Sequence, residues 1–200
     1  FDEELCNLGK GFSNKIWNAF KLIKGWEVST TIPQPESSKV AIEWYEAKLQ
    51  QTLADIEDNF EKYRISDSLM AIYKLVWDDF CSWFLEMIKP AYQQPIDSVT
   101  FAKAIEMLES NLKLLHPFMP FVSEEIYHQL KDQNEDLCVK QFEKVATPSE
   151  NMITQGELLR ATISAIRDAR VKNNIKSKEP IQLHIQTANK DNYTSINSIL

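Results

Sequence analysis

The chain opens on a helical rhythm. Leu5, Leu8, Phe12, Ile16, Phe20 and Ile23 recur at steps of three and four, which predicts one face of a helix over about 2–25. Asp2, Glu3 and Glu4 stand at its start, where the helix dipole favours negative charge, and Gly25 is placed to end it. Pro33, Pro35 and several hydroxyls make 30–39 a loop. Ser37 and Ser38 are expected to cap a second helix, whose stripe is Ile42, Tyr45, Leu49, Leu53, Ile56, Phe60 and Tyr63. Its opposite face carries Glu43, Glu46, Asp55, Glu57, Asp58 and Glu61 and is expected to face water. A third helix, about 66–89, has a wide apolar face: Ile65, Leu69, Ile72, Val76, Phe80, Trp83 and Met87, broadened by Tyr73, Trp77 and Phe84. Such width suits a helix in the middle of a bundle. Lys89 fits its C-terminal dipole and Pro90 stops it. Asp97 or Ser98 caps a fourth helix, striped by Phe101, Ala104, Ile105, Leu108, Leu112 and Leu115.

The fourth stripe runs into Leu-His-Pro-Phe-Met-Pro-Phe-Val-Ser-Glu-Glu-Ile-Tyr, residues 115–127. Pro117 breaks one helix and Pro120 suits the first turn of the next, over about 120–131. Phe118, Met119 and Phe121 are too apolar for a solvated loop, so the stretch reads as a buried elbow with these three in the core. After Asn134 the pattern changes. Residues 137–142 alternate like a short strand, with Val139 inward and Lys140 outward. A helix follows over about 150–173, with Leu159, Ile163, Ile166 and Val171 on one side and arginines on the other. Residues 181–186 alternate as a strand, and 192–200 opens a further helix. The expected architecture is mainly α: an antiparallel helical bundle over 1–148, then the start of a small, truncated α+β module over 149–200.

Composition narrows the function classes. A hydrophobic share of 44% with 26% charged residues is that of a soluble globular chain, and no apolar run is long enough to span a bilayer. Four glycines leave no glycine-rich phosphate loop. Beginning at Phe1 and ending mid-pattern, the sequence reads as a fragment of a longer protein. Cys6, Cys81 and Cys138 are widely spaced and odd in number, which argues against a disulfide framework and for a reducing cytoplasm. His116, His128 and His184 lack metal-ligand spacing and read as lone polar residues. The net charge of −7 opposes general nucleic-acid binding. Its distribution matters, because residues 160–178 carry a local +5 and the remainder −12.

No nucleotide-binding, nucleophile-elbow or zinc-protease motif is present. Asp78-Asp79 and Glu124-Glu125 are adjacent in helices and point apart, so capping and solvation are expected of them rather than acid–base catalysis. Trp17 borders the polar face of the first helix, where it could stack on a base. The other tryptophans, Trp26, Trp44, Trp77 and Trp83, read as core or interface residues.

Residues 115–127 at the close of a helical bundle resemble the anticodon-binding domain of the class I aminoacyl-tRNA synthetases for leucine, isoleucine, valine and methionine. Two other stretches are similar to the valyl family. Residues 14–26 (Asn-Lys-Ile-Trp-Asn-Ala-Phe-Lys-Leu-Ile-Lys-Gly-Trp) look like its opening helix, and 77–90, ending Trp-Phe-Leu-Glu-Met-Ile-Lys-Pro, like its third. Ile166-Arg167-Asp168-Ala169-Arg170 with Asn174-Ile175 is similar to a segment that follows the bundle in valyl and isoleucyl enzymes. The second and fourth helices match by pattern only.

The resemblance implies a parent valine–tRNA ligase that uses ATP and Mg²⁺. Its partners would be valine tRNA and the rest of its own synthetase chain, with no membrane involved. Neither ATP signature of the family occurs here, so no catalytic residue, metal ligand or cofactor is expected in this fragment. Its expected task is recognition of the anticodon arm. Splayed bases need amides for their edges, a flat side chain for stacking and cations for phosphates. The first helix offers Asn14, Lys15, Trp17, Asn18, Lys21 and Lys24 for this. Arg160, Arg167, Arg170, Lys172, Lys176 and Lys178 are expected on the tRNA backbone. The alternatives are the same domain of an isoleucyl enzyme, or a helical protein-interaction module without RNA.

Overall fold

The structure, a computed structural model, describes residues 3–131, 135–142, 146–176, 179–187, 193 and 196–199. The chain divides into two compact units, Phe1–Pro148 and Ser149–Leu200. Among the described residues, no helix is long and apolar enough to cross a membrane.

The first unit is a helical bundle. Its elements are α1 (Glu3–Lys24), β1 (Val28–Ser29), α2 (Glu36–Glu61), α3 (Ile65–Lys74), a π-helical segment (Leu75–Phe84), α4 (Leu85–Ile88), β2 (Ile96–Asp97), α5 (Ser98–Leu115) and α6 (Pro120–Leu130). Phe12, Ile16, Phe20 and Ile23 bury the predicted face of α1, while Leu8, nearer its free end, stays exposed. The acidic face of α2 is solvated at Glu43, Asp55, Glu57, Asp58 and Glu61. Glu46 differs: half-buried, it accepts a hydrogen bond from Lys103 at 3.0 Å. Phe60 and Tyr63 continue the α2 stripe in sequence but lie at its end, beyond the core, and are exposed.

The centre of the unit is aromatic. Tyr45 is fully enclosed, 4.8 Å from the Phe84 ring and 5.5 Å from the Phe80 ring. Its hydroxyl donates to Asn111 Oδ1 at 2.7 Å, tying α2 to α5. Burial holds its phenol well above the ordinary tyrosine pKa, so it remains a donor. Phe80 and Phe84 belong to the π-helical segment, whose i→i+5 bonding widens the turn. Ser82 Oγ donates to the carbonyl of Trp77, five residues back, at 2.9 Å.

Several expectations need correcting. The second helix begins at Glu36, with Pro35 at the N-cap position, so Ser37 and Ser38 lie inside it and Ser38 is buried. The third helix is continuous but is π-helical through its aromatic centre, a change of turn that a three-and-four rhythm does not register. Ile65 and Leu69, at its exposed start, lie outside the core. Asp79, expected to be solvated, is buried beside Tyr45. Asp97 rather than Ser98 caps α5, accepting from Thr100 N at 2.8 Å. At the elbow, Phe118 and Met119 are half-buried, but Phe121, on the outer side of the first turn of α6, is 90% exposed. Residues 137–142 form no strand. Leu137–Val139 is a 3₁₀ turn that buries Leu137 and exposes Val139, because one apolar side chain, not an alternating face, meets the bundle.

A parallel bridge not anticipated from sequence pairs Val28 with Ile96 and Ser29 with Asp97. It fastens the α1–α2 connection to the α4–α5 connection.

In the second unit, α7 (Glu150–Lys172) starts at Ser149, whose hydroxyl accepts from Met152 N. Leu159 is buried, Ile163 and Ile166 are half-buried, and Val171, in the last turn, is exposed. Residues 181–186 are exposed and join no ladder among the described residues, since a strand needs a partner for its backbone groups. A 3₁₀ turn, Ile196–Ser198, stands where a helix was expected, and most of 188–195 lies outside the described residues.

Two outcomes follow from the core. Tyr45→Phe leaves Asn111 Oδ1 buried without its donor and should lower the unfolding free energy by about 1–3 kcal/mol in urea denaturation. Burial, partly offset by Lys15, pushes the Cys81 thiol up to about 12. At pH 8 it therefore remains a thiol, whereas Cys6 and Cys138 are exposed. A thiol reagent should modify two cysteines quickly in the folded chain and the third only after denaturation.

Candidate functional site

The α1 residues sort by helical angle. Asn14, Asn18 and Lys21 lie four and three residues apart and are exposed on one stripe, with Trp17 half-exposed at its edge. Trp17 packs on Phe20, ring centres 5.6 Å apart, which fixes its plane and leaves part of it accessible. Lys24 Nζ sits 5.3 Å from the Phe20 ring centre. Lys15 departs from the group. It turns toward the π-helical segment, 4.8 Å over the Trp77 ring and 3.4 Å from Ser82 Oγ.

One turn beyond Lys21 the same stripe reaches Gly25 and a cleft of about 530 Å³. One wall is the end of α1 and its exit, Leu22, Gly25, Trp26 and Glu27; the other is Lys89 to Gln94. A Cβ on Gly25 would stand 3.2 Å from the Lys21 carbonyl oxygen, so the helix end is drawn tight there. The far wall is a turn closed by Gln94 N donating to the Ala91 carbonyl at 2.9 Å. Gln93 takes φ 60, a left-handed conformation that costs a non-glycine residue about 1 kcal/mol or more. That turn holds Tyr92 out, 90% exposed. Ile96 N donates to the Glu27 carbonyl at 2.8 Å, and the β1–β2 bridge continues this link, so the two walls are held to each other.

The cleft thus offers two aromatic rings, Trp26 and Tyr92, the amides of Gln93 and Gln94, and Lys24 and Lys89 nearby, with Glu27 as its acid. Lys89 is shared with Glu86 at 2.5 Å. Flat rings and amides with a few cations form a set suited to unpaired nucleic-acid bases. No role was expected of Tyr92, Gln93 or Gln94 from the sequence. A tyrosine followed by two glutamines after a helix-ending proline was the available signal.

The basic residues of α7 are not equivalent. Arg167, Lys172 and Lys176 are exposed. Arg170 Nη1 donates to the Lys176 carbonyl at 2.8 Å and helps close the helix end. Arg160 is half-buried, 3.9 Å from Glu157. Lys178 lies outside the described residues.

Two of the histidines, His116 and His128, are not solitary. His128 Nε2 approaches Glu124 Oε1 and Asp136 Oδ1, and His116 Nδ1 lies 3.6 Å from Glu124 Oε2. Glu124 also accepts from Leu137 N at 2.6 Å, so it is engaged rather than solvated.

Residues 43–185 match the family described as the anticodon-binding domain of tRNA ligase. The chain is 49% identical over 187 residues to a valine–tRNA ligase of Christiangramia forsetii, covering 92% of this chain and 21% of the relative. It is 44% identical over 187 residues to that of Parabacteroides distasonis, with the same coverage. The valine–tRNA ligase of Fusobacterium nucleatum is 28% identical over 204 residues, 96% of this chain and 23% of the relative. The chain therefore spans about a fifth of the length of these curated relatives.

Proposed function

Because the chain belongs to the family of tRNA-ligase anticodon-binding domains, we propose that it reads the anticodon arm of a valine tRNA for a valine–tRNA ligase. The choice of valine over isoleucine follows the names of its relatives. The observation that carries the reading is the convergence of α1 and the 89–94 turn on one cleft, with Tyr92 and Trp26 displayed beside glutamine amides.

In this reading the loop bases unstack from one another and stack instead on Tyr92, Trp26 and the free part of Trp17. Asn14, Asn18, Gln93 and Gln94 present both donors and acceptors, which is what discrimination between base edges requires. From Asn14 to Gly25 the stripe runs roughly 16 Å along the helix. Lys21 and Lys24 meet phosphates along it. On the second unit, Arg167, Lys172 and Lys176 meet backbone elsewhere on the RNA, contributing affinity without sequence information. Lys15 is withdrawn from the RNA-binding set, since its ammonium is engaged inside the bundle.

Ligation of valine to tRNA with ATP and Mg²⁺ belongs, in the same proposal, to the remainder of the parent enzyme. No residue of this chain is assigned to that step. The setting is the cytosol, in keeping with two exposed free thiols.

Two expected outcomes test the reading by gel shift over a salt series. Tyr92→Ala, Asn14→Ala and Asn18→Ala should each narrow the gap between valine tRNA and a transcript with an altered anticodon. Loss of one base stack should weaken binding by about 1–3 kcal/mol. Arg167→Glu with Lys172→Glu should instead weaken all transcripts alike and flatten the salt slope by about 1 per cation removed. Equal binding of both transcripts by the unmodified chain, with no salt slope, would refute the proposal.

A further inference from the structure

Away from the cleft, a pocket of about 330 Å³ opens at the elbow, lined by His116, Pro120, Phe121, Glu124, Glu125 and His128. Glu124 and His128 are four residues apart in α6 and so share a face. Asp136, at the start of the 3₁₀ turn, lies against them. His128 Nε2 lies 3.1 Å from Glu124 Oε1 and 3.2 Å from Asp136 Oδ1. The three donor atoms fall within 4.8 Å of one another. Nε2 is buried and makes no well-aligned hydrogen bond to either carboxylate.

That last point separates two accounts of the cluster. An N–H on Nε2 has one direction and should be aimed at one acceptor. A nitrogen set between two carboxylate oxygens, aligned with neither, has the arrangement of one ligand among three. Metal–ligand bonds of about 2.0–2.2 Å place neighbouring ligands roughly 3.0 Å apart at right angles and roughly 3.4 Å apart in a tetrahedron. The two separations from Nε2 fall between these limits. Imidazole with carboxylates is a donor set for zinc and its neighbours among the divalent transition metals. The surrounding groups fit as well. Glu124 Oε1 is steadied by Leu137 N at 2.6 Å, and its other oxygen faces His116, whose Nδ1 is 3.0 Å from Ser123 Oγ. Such outer contacts orient ligating carboxylates.

We propose that Glu124, His128 and Asp136 bind one divalent transition-metal ion of the zinc class, with the open side of the site left to water. Two carboxylates and a neutral imidazole balance the charge of the ion. The ion staples the 3₁₀ turn to α6.

The test is titration of the purified chain with Zn²⁺, in a Cys6→Ser, Cys138→Ser background that removes exposed thiol ligands. One equivalent should bind at pH 7.5, and the melting temperature should rise with added Zn²⁺. His128→Ala and Asp136→Asn should each weaken binding by about 10-fold or more and abolish the thermal shift, while His184→Ala leaves both unchanged. Asp136 is largely solvated, so its variant retains the fold, which circular dichroism checks. Absence of stoichiometric Zn²⁺ uptake by the background chain, or unchanged affinity in both variants, overturns the proposal.

Discussion

The first unit depends on a polar contact at its largely apolar centre. Tyr45 brings a hydroxyl into a place that water does not reach, and Asn111 of α5 accepts its hydrogen bond. A buried phenol without a partner costs more than the bond itself contributes. The bond therefore selects the register of α2 against α5. With that register set, Phe80 and Phe84 lie against the Tyr45 ring, and the wider π-helical turn carries them there. Dispersion and burial supply most of the energy of this core, and the hydrogen bond makes one arrangement better than its neighbours.

The site is a product of connections. The β1–β2 bridge joins two segments far apart in sequence, so the exit of α1 and the turn after Pro90 form one rigid rim. Its rings and amides sit on an otherwise acidic body of net charge −7. Acid on the outer face of α2 discourages phosphates from settling there, which leaves the α1 stripe and the end of α7 as the attractive surfaces. In the proposed reading, an RNA partner is oriented by repulsion as well as by contact.

Much of this was legible in the chain. Apolar steps of three and four placed α1, α2, α5, α6 and α7, and Pro90, Pro117 and Pro120 marked the breaks where they occur. The residues that escaped did so for physical reasons. Helical rhythm does not separate an α from a π turn, so Leu75–Phe84 read as ordinary helix. Alternation in 137–142 and 181–186 promised strands, but a ladder needs a second chain segment that local pattern cannot supply. Phe121 was apolar enough for the core, yet it occupies the outer side of α6. On α1, amide and lysine spacing exposed the stripe, while Lys15, one step round the helix, answered to Trp77 on a distant segment. Tyr92 was hidden by its position in a connection, where neither periodicity nor charge distinguishes a displayed ring from an idle one.

The β1–β2 bridge has one more consequence. It is made by main-chain groups, so it holds whatever side chains flank it. Tyr92, Gln93 and Gln94 project from a frame that does not need them: none is buried, and none contributes to the Tyr45 core. In the proposed reading the turn is therefore a replaceable reading head. Related domains of different specificity can arise by rewriting these few letters while the bundle beneath goes untouched.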